Sequence, residues 1–238
     1  MYLGARVAVV IPAHNEAALI GRVIGGIPAF VDRIVVVDDA STDATCAQVE
    51  QARDRRVMLV RHAVNRGVGA AIMTGYRVAR DAQSDVIAVM AGDDQMDPSD
   101  LEALVRPIAQ GRAEYAKGDR IHHPEVGNMP WSRRIGTQAL AAMTRAAIGL
   151  PTLSDSQCGF TAIAATAVDR LPLSLVWPGF GYPNDLLARL HEQGMRIIEV
   201  AVRPVYKGEG SELRPWHLFA IACVVHRAWC RRRAARRD

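Results

Sequence analysis

Four polar clusters in the first hundred residues contain side chains that suit the binding of a cation or a nucleotide, and they span residues 12–16, 38–43, 65–69 and 92–97. The last cluster holds Asp93, Asp94 and Gln95 at successive positions. Carboxylates this close repel one another unless a cation lies among them. Oxygen ligands of this kind suit Mg²⁺ or Mn²⁺ shared with a diphosphate, so we predict that these three residues bind such an ion.

The same clusters also have ordinary structural explanations. Asp97 before Pro98 is typical of a helix cap, and we prefer that interpretation for it. Capping of the following helix leaves the adjacent pair Asp38 and Asp39 unexplained, whereas hydrogen bonds to a base or ribose account for it. Residues 65–69 offer backbone N–H groups to an anion at a helix N-terminus, although their glycines are also compatible with close packing alone.

Alternating strands and helices must position these clusters. Apolar runs predict strands over residues 6–11, 33–37, 57–60 and 85–90, and a helix follows each of the first three. The first of these helices is expected to open at Asn15, with Asn15 as its cap. Runs without alternation are typical of a parallel sheet covered by helices on both faces, which binds ligands beyond the carboxyl ends of its strands. All four clusters fall at those ends, so the sequence predicts an α/β fold with one site at that edge.

The second half of the chain is less regular. Its predicted helices and strands cover residues 101–110, 113–117, 133–148, 161–164, 183–192 and 196–200. No linker, repeat or low-complexity segment divides the chain. We therefore predict one domain over residues 1–214, followed by an amphipathic helix and basic tail over residues 215–238.

Composition excludes several classes of protein. The 238 residues are 50% hydrophobic and 23% charged, which excludes intrinsic disorder and a collagen. An aromatic content of 5% argues against a surface that stacks single-stranded bases. The four cysteines lack CxxC spacing, so we interpret them as reduced thiols with no zinc site.

Positive charge is concentrated at the C-terminal end of the chain. Residues 227–238 hold six arginines and one aspartate, whereas the rest of the chain is close to neutral. Nucleic-acid-binding proteins spread basic residues over the folded body, so we predict no nucleic-acid partner. We predict instead that an interfacial helix and the basic tail contact an anionic membrane surface. Neither a signal peptide nor a spanning helix of ~18 apolar residues is evident, which predicts a cytoplasmic protein bound peripherally to the inner face of the membrane.

Taken together, the motifs resemble those of family 2 glycosyltransferases with the GT-A fold, a Rossmann-like, mostly parallel sheet. The branch that they resemble most is that of dolichol- and polyprenyl-phosphate mannose synthases. The resemblance covers roughly residues 6–210 and is carried by the segments VIPAHNE (10–16), VDDASTD (37–43), NRGVGAA (65–71), GDDQMDP (92–98) and CGF (158–160).

The resemblance implies an inverting glycosyltransferase. A sugar moves from a nucleotide-diphosphate sugar (GDP-mannose, UDP-hexose or UDP-HexNAc) to polyprenyl phosphate, with Mg²⁺ or Mn²⁺ as cofactor. The implied nucleotide-sugar residues are Pro12, His14, Glu16, Asp38, Asp39, Arg66, Gly67 and Gly92. The implied acceptor residues are Arg120, Arg133, Arg134, Asp155, Lys207 and Ser211, and the implied catalytic residues are Asp93, Asp185 and Arg134.

Two features leave the acceptor and the metal affinity open. A lipid phosphate is already ionised and needs arginines to place it, whereas a hydroxyl of a soluble acceptor needs a base, for which Asp185 is the candidate. Asp185 is equally compatible with capping a helix after Pro183. The family usually has an additional aspartate where this chain has Ala91, which predicts weak metal binding or a larger role for Asp94.

Overall fold

The computed structural model describes residues 1–206 and 215–234, without the side chains of residues 215–218. Seven strands form one sheet in the order β3-β2-β1-β4-β6-β5-β7. The strands are β1 (Val7–Ala13), β2 (Arg33–Asp38), β3 (Val57–Arg61), β4 (Val86–Val89), β5 (Tyr115–Asp119), β6 (Thr161–Ala164) and β7 (Ile197–Ala201). The helices are α1 (Ile20–Gly26), α2 (Thr45–Gln51), α3 (Val68–Asp81), α4 (Leu101–Ala109), α5 (Trp131–Ile148), α6 (Ala165–Arg170), α7 (Tyr182–Glu192) and α8 (Pro215–Ala234).

The sheet is mostly parallel, as the sequence predicts. Strand β1 lies near its centre, where Val10 pairs with Val35 of β2 and Val89 of β4. Strand β6 is antiparallel to both of its neighbours, β4 and β5. The expected α/β fold is therefore confirmed, and the carboxyl ends of β1, β2 and β4 lie side by side.

Helices cover both faces of the sheet and create two apolar cores. Val10 of β1 packs into the core formed with α3, α7 and α8, while its neighbours Val9 and Ile11 face the core formed with α1, α2 and α4. All three of these β1 side chains are fully buried. Because both faces of the sheet are buried, the strands are continuous apolar runs and do not alternate apolar with polar residues.

The first helix departs from the prediction. It begins at Ile20 rather than at Asn15, and Asn15 adopts a left-handed backbone with φ of 59°. The side-chain oxygen of Asn15 accepts a hydrogen bond from the backbone N–H of Thr42 at 2.8 Å. Residues 14–17 therefore contact the loop after β2 and the start of α2, a tertiary interaction that local sequence does not reveal. Asp97, in contrast, caps the turn at Pro98 as predicted, accepting from the N–H of Ser99 at 2.9 Å.

The C-terminal helix α8 packs on the body against α5 and α7, with Ile221, Val224 and Ala228 buried. Two arginines of α8 take part in this packing. Arg231 pairs with Asp185 and Glu192, both at 3.0 Å, and Arg232 donates to the carbonyl oxygen of Ala146 at 3.2 Å. Within the described residues, no helix is long and apolar enough to cross a membrane.

Candidate active site

A cavity of about 910 Å³ opens at the carboxyl ends of β1, β2 and β4 and extends towards α5. It brings together eight of the residues that the sequence assigned to the donor and the metal, namely Pro12, His14, Glu16, Asp39, Gly67, Gly92, Asp93 and Gln95. On the side of α5 it is lined by Arg120 and Arg133. The juxtaposition of Asp39 with Asp93 and Gln95 in one crevice is therefore confirmed.

A hydrogen-bonded network centred on Asp39 fixes the loop before α3. One oxygen of the Asp39 carboxylate accepts from the backbone N–H of Arg66 at 2.9 Å and lies 2.6 Å from Nδ1 of His62. The other oxygen accepts from the N–H of Gly67 at 2.7 Å. The far ring nitrogen of His62 lies 3.0 Å from the hydroxyl of Thr74 on α3. Asp39 is therefore held rigidly at the cavity wall, buried and with both oxygens engaged.

The acidic loop after β4 presents Asp93 and Gln95 to the cavity, and the Gln95 N–H donates to the Asp93 carboxylate at 3.1 Å. Asp94 does not line the cavity. It adopts a left-handed backbone with φ of 58°, and its carboxylate pairs with Arg22 of α1 at 3.3 Å. The described residues contain no group of three or more His, Cys, Asp or Glu side chains that could hold a metal ion.

This donor set fits a divalent ion only when the ion is shared with a ligand. Asp93 supplies a carboxylate oxygen and Gln95 an amide oxygen, and both are hard donors suited to Mg²⁺ or Mn²⁺. Ala91, which also lines the cavity, adds no donor at the position where the resemblance predicts an aspartate. The remaining coordination positions would have to be filled by diphosphate oxygens and water.

The α5 side of the cavity is cationic. Arg120 forms a two-point ion pair with Asp155, with nitrogen–oxygen distances of 2.7 and 3.1 Å. Burial alone would raise the pKa of Asp155, but the Arg120 guanidinium and backbone hydrogen bonds outweigh it and hold the pKa below its ordinary value. The guanidinium of Arg133 lies over the ring of Tyr206, 4.9 Å from its centre. These two arginines form a positive wall opposite the acidic loop.

Six predicted site residues lie outside the cavity lining, namely Asp38, Arg66, Asp94, Arg134, Asp155 and Asp185. Asp38 is buried and accepts from the N–H of Ser41 at 3.3 Å, so it braces its own turn. Arg134 is exposed in the first turn of α5. Arg66 contributes its backbone N–H to Asp39. Lys207 and Ser211 fall outside the described residues.

Asp185 is buried in an ion-pair cluster away from the cavity. Its carboxylate accepts from Arg189 at 2.9 Å and from Arg231 at 3.0 Å, and also from the backbone N–H of Trp177 at 3.0 Å. Both carboxylate oxygens are occupied by these donors. This position does not suit the base for a hydroxyl acceptor, because such a base must reach the reacting proton.

Sequence reasoning missed several residues that shape the site. His62, which directly follows β3, supports Asp39. Arg203 lines the cavity and pairs with Asp97 at 2.6 Å and Glu125 at 2.9 Å. Arg203 follows the carboxyl end of β7, so its position at the same sheet edge as the four clusters was an available signal. His62 carried no comparable signal, because a single histidine after a strand is most often structural.

The family model for Glycosyl transferase family 2 matches residues 8–171. The chain belongs to glycosyltransferase family 2. It is 28% identical over 213 residues to the UDP-N-acetylglucosamine–dolichyl-phosphate N-acetylglucosaminyltransferase of Methanococcus voltae, covering 83% of this chain and 84% of that protein. It is 29% identical over 230 residues to the undecaprenyl-phosphate mannosyltransferase of Micrococcus luteus, covering 94% and 93%. The resemblance to polyprenyl-phosphate enzymes of this family is confirmed.

Solved structures show the same fold. The structure of glucosyl-3-phosphoglycerate synthase from Mycobacterium tuberculosis in complex with Mn²⁺, UDP and phosphoglyceric acid aligns with a TM-score of 0.71 at 21% sequence identity. The alignment covers 95% of this family 2 chain and 79% of that structure. The GT-A fold expected from the sequence is confirmed by this likeness.

Proposed function

We propose that this glycosyltransferase moves a sugar from a nucleotide-diphosphate sugar to a polyprenyl phosphate at a membrane surface. The observation that carries the proposal is the division of the cavity into two chemically different ends. All the carboxylates that line it within the described residues, Glu16, Asp39 and Asp93, lie at the donor end. The α5 side presents the guanidinium groups of Arg120 and Arg133, while Arg203, which also lines the cavity, is paired with Asp97 and Glu125.

This division favours an acceptor that arrives already ionised. A phosphate needs cationic donors to hold it near the anomeric carbon, and arginine matches its geometry well. A hydroxyl acceptor instead needs a nearby base. Asp185, the candidate for that role, is committed to Arg189 and Arg231, and Asp155 is committed to Arg120. The names of the relatives from Methanococcus voltae and Micrococcus luteus support the same acceptor class.

The reaction is proposed to be a single inverting displacement. An oxygen of the acceptor phosphate attacks the anomeric carbon as the bond from that carbon to the leaving nucleoside diphosphate breaks. Arg120 and Arg133 orient the attacking phosphate. A bound Mg²⁺ or Mn²⁺, held by Asp93 and Gln95, supplies positive charge that stabilises the leaving diphosphate.

An apolar face on α5 supports access from a membrane. We define this face as Trp131, Ile135, Ala139 and Met143, which are spaced four residues apart and therefore lie along one side of the helix. Trp131 is 76% exposed, Ile135 58% and Met143 47%. Ala139 also lines the cavity. The apolar face reaches the cavity through Ala139, whereas Arg133 lines the cavity from another side of the helix.

The decisive experiment is a panel of nucleotide sugars assayed with the purified full chain, Mg²⁺ or Mn²⁺ and a short polyprenyl phosphate, with product mass as the readout. We expect one nucleotide sugar to give a glycosyl polyprenyl phosphate. The matched control is the corresponding polyprenol, which has the same chain but no phosphate and should give no product. A further arm with phosphoglyceric acid tests a soluble hydroxyl acceptor, and product only in that arm would overturn the lipid proposal.

A further inference from the structure

The segment between α6 and α7 lies between the C-terminal helix and the donor end of the cavity. We define the bridging segment as residues 176–181. On one side its backbone contacts the start of α3, where the N–H of Ala70 donates to the carbonyl oxygen of Pro178 at 3.1 Å. On the other side Gly181 is so close to α8 that an added Cβ would lie 2.9 Å from a methyl of Val224.

The contact with the start of α3 is unusually close. A Cβ on Gly67 would lie 2.6 Å from the carbonyl oxygen of Pro178, and one on Gly69 would overlap the carbonyl oxygen of Trp177. Gly67 also has a φ of 91°, which side-chain-bearing residues rarely adopt. The two glycines therefore allow the bridging segment to lie directly on the loop that lines the donor end.

Asp185 ties the bridging segment to α8. One carboxylate oxygen accepts from the backbone N–H of Trp177 and from Arg189, and the other accepts from Arg231 of α8 at 3.0 Å. Arg189 also donates to the carbonyl oxygen of Leu175 at 2.6 Å. Because Asp185 is buried, loss of either cation would leave its charge poorly compensated and its geometry free to change.

We infer that Arg231 is a positioning residue for the donor end of the cavity, acting through Asp185 and the bridging segment on the loop at Gly67. The chain of contacts is continuous from α8 to that loop, and each link is a hydrogen bond or a backbone contact too close for a Cβ. The C-terminal helix thereby becomes part of the donor site, although none of its described side chains lines the cavity. This inference rests on the proposed function for its effect on donor binding.

The test compares three single variants of the full chain. Arg231→Ala removes both ion pairs, Arg231→Lys keeps the cation, and Glu192→Gln removes the Glu192 partner of Arg231 while leaving its contact with Asp185. Arg233→Ala is the matched control, because Arg233 stacks on Trp229 of its own helix at 5.1 Å. Thermal unfolding of each variant verifies that the chain is folded at the temperature of the binding assay.

Two readouts separate this inference from the proposed function. The first is hydrogen exchange of peptides covering residues 67–71 and 176–181, which should become faster in Arg231→Ala alone. The second is the dissociation constant for UDP and for GDP with Mg²⁺, which should rise about fivefold in Arg231→Ala for the nucleotide that binds. Arg231→Lys should restore most of both effects, whereas Glu192→Gln and Arg233→Ala should match the wild type.

Unchanged exchange at residues 67–71 in Arg231→Ala would overturn the inference whether or not a nucleotide binds. Faster exchange with an unchanged dissociation constant would also overturn it, since the coupling would then not reach the donor. If neither nucleotide binds the wild type while exchange still responds, the contact chain is supported and the proposed function is the part that fails.

Discussion

Nδ1 of His62 lies 2.6 Å from the carboxylate of Asp39, and both side chains are buried. The ring is held from its other side by the hydroxyl of Thr74, 3.0 Å from Nε2. Through Asp39 the histidine also stabilises the backbone N–H groups of Arg66 and Gly67. A residue that follows β3 and does not line the cavity therefore helps to determine the shape of its donor end.

This contact predicts different nucleotide affinities for two amide substitutions at position 62. In His62→Asn the side-chain nitrogen takes the place of Nδ1 and can still donate to Asp39, whereas in His62→Gln it takes the place of Nε2 near Thr74. We expect near-normal nucleotide affinity for His62→Asn and about tenfold weaker binding for His62→Gln, since a lost buried partner costs roughly 1–3 kcal/mol. Calorimetric titration measures both. Equal losses in the two variants would mean that His62 serves packing alone.

Asp39 was predictable from sequence and His62 was not, for a physical reason. Strand ends in a parallel sheet converge on one edge, so any polar cluster after a strand is a site candidate, and Asp39 belongs to such a cluster. His62 also follows a strand, but its role depends on the ring reaching Asp39, which is 23 residues away. Sequence spacing does not specify that side-chain contact.

Arg120 and Arg133 should differ in what their loss affects. Arg120→Ala leaves the carboxylate of Asp155 buried without its main cation, so we expect a fall of about 3–5 kcal/mol in the free energy of unfolding.

Arg133 rests on the Tyr206 ring at the cavity wall. For Arg133→Ala we expect little loss of stability and a KM for polyprenyl phosphate raised about tenfold to a hundredfold, from roughly 1.5–3 kcal/mol of lost charge-assisted bonding. Urea unfolding and steady-state kinetics distinguish the two, and an unchanged KM in Arg133→Ala would exclude that residue from the acceptor site.

The ion pair of Asp155 also predicts an acid-sensitive contribution to stability. Because the folded-state pKa of Asp155 lies below its ordinary value, the pair stabilises the fold above the unfolded pKa of about 3.9 and loses that effect as pH falls. Asp155→Asn cannot titrate. The difference in unfolding free energy between wild type and Asp155→Asn should therefore be constant near neutral pH and shrink below about pH 4. A difference that stays constant down to pH 2 would show that the carboxylate charge is not what stabilises this site.

The acceptor half of the site was harder to predict than the donor half. The resemblance to the family predicted that Asp155 and Asp185 lie beside the acceptor. In the fold Asp155 pairs with a residue 35 positions away and Asp185 with one 46 positions away. Such long-range contacts determine whether a carboxylate faces a cavity or a buried cation, and sequence spacing does not predict them.

Ala91 offers a test of the metal site by gain of function. It lines the cavity with Asp93, at the position where the resemblance predicts an additional aspartate. Ala91→Asp should lower the Mn²⁺ concentration needed for half-maximal activity about tenfold, roughly 1.4 kcal/mol of tighter binding. Ala91→Asn is the matched control, since it adds an oxygen of similar reach without the charge and should have a smaller effect. Activity titrated with Mn²⁺ provides the measurement, and an Ala91→Asp variant with unchanged metal requirement would place the ion elsewhere.

The apolar face of α5 predicts how the enzyme meets its lipid. Burying a large apolar side chain contributes roughly 1.5–3 kcal/mol, so Trp131→Glu combined with Ile135→Glu should weaken binding to phosphatidylglycerol–phosphatidylcholine vesicles by far more than tenfold. The matched control is Leu3→Glu, because Leu3 is also exposed, at 61%, but lies near the N-terminus and outside the apolar face. Vesicle co-sedimentation provides the measurement.

The salt dependence of vesicle binding shows whether this apolar face or the basic tail is the source of membrane affinity. Binding through the tail falls steeply as ionic strength rises, because exposed charges are screened, whereas apolar burial is insensitive to moderate salt. We expect the wild type to retain most of its vesicle binding at raised salt. The double α5 variant should lose this salt-resistant binding. Arg231 and Arg232 are already engaged with Asp185 and Ala146, which reduces the charge that α8 can offer to a membrane. If the double α5 variant still binds vesicles and raised salt abolishes that binding, the membrane contact is made by the basic tail instead.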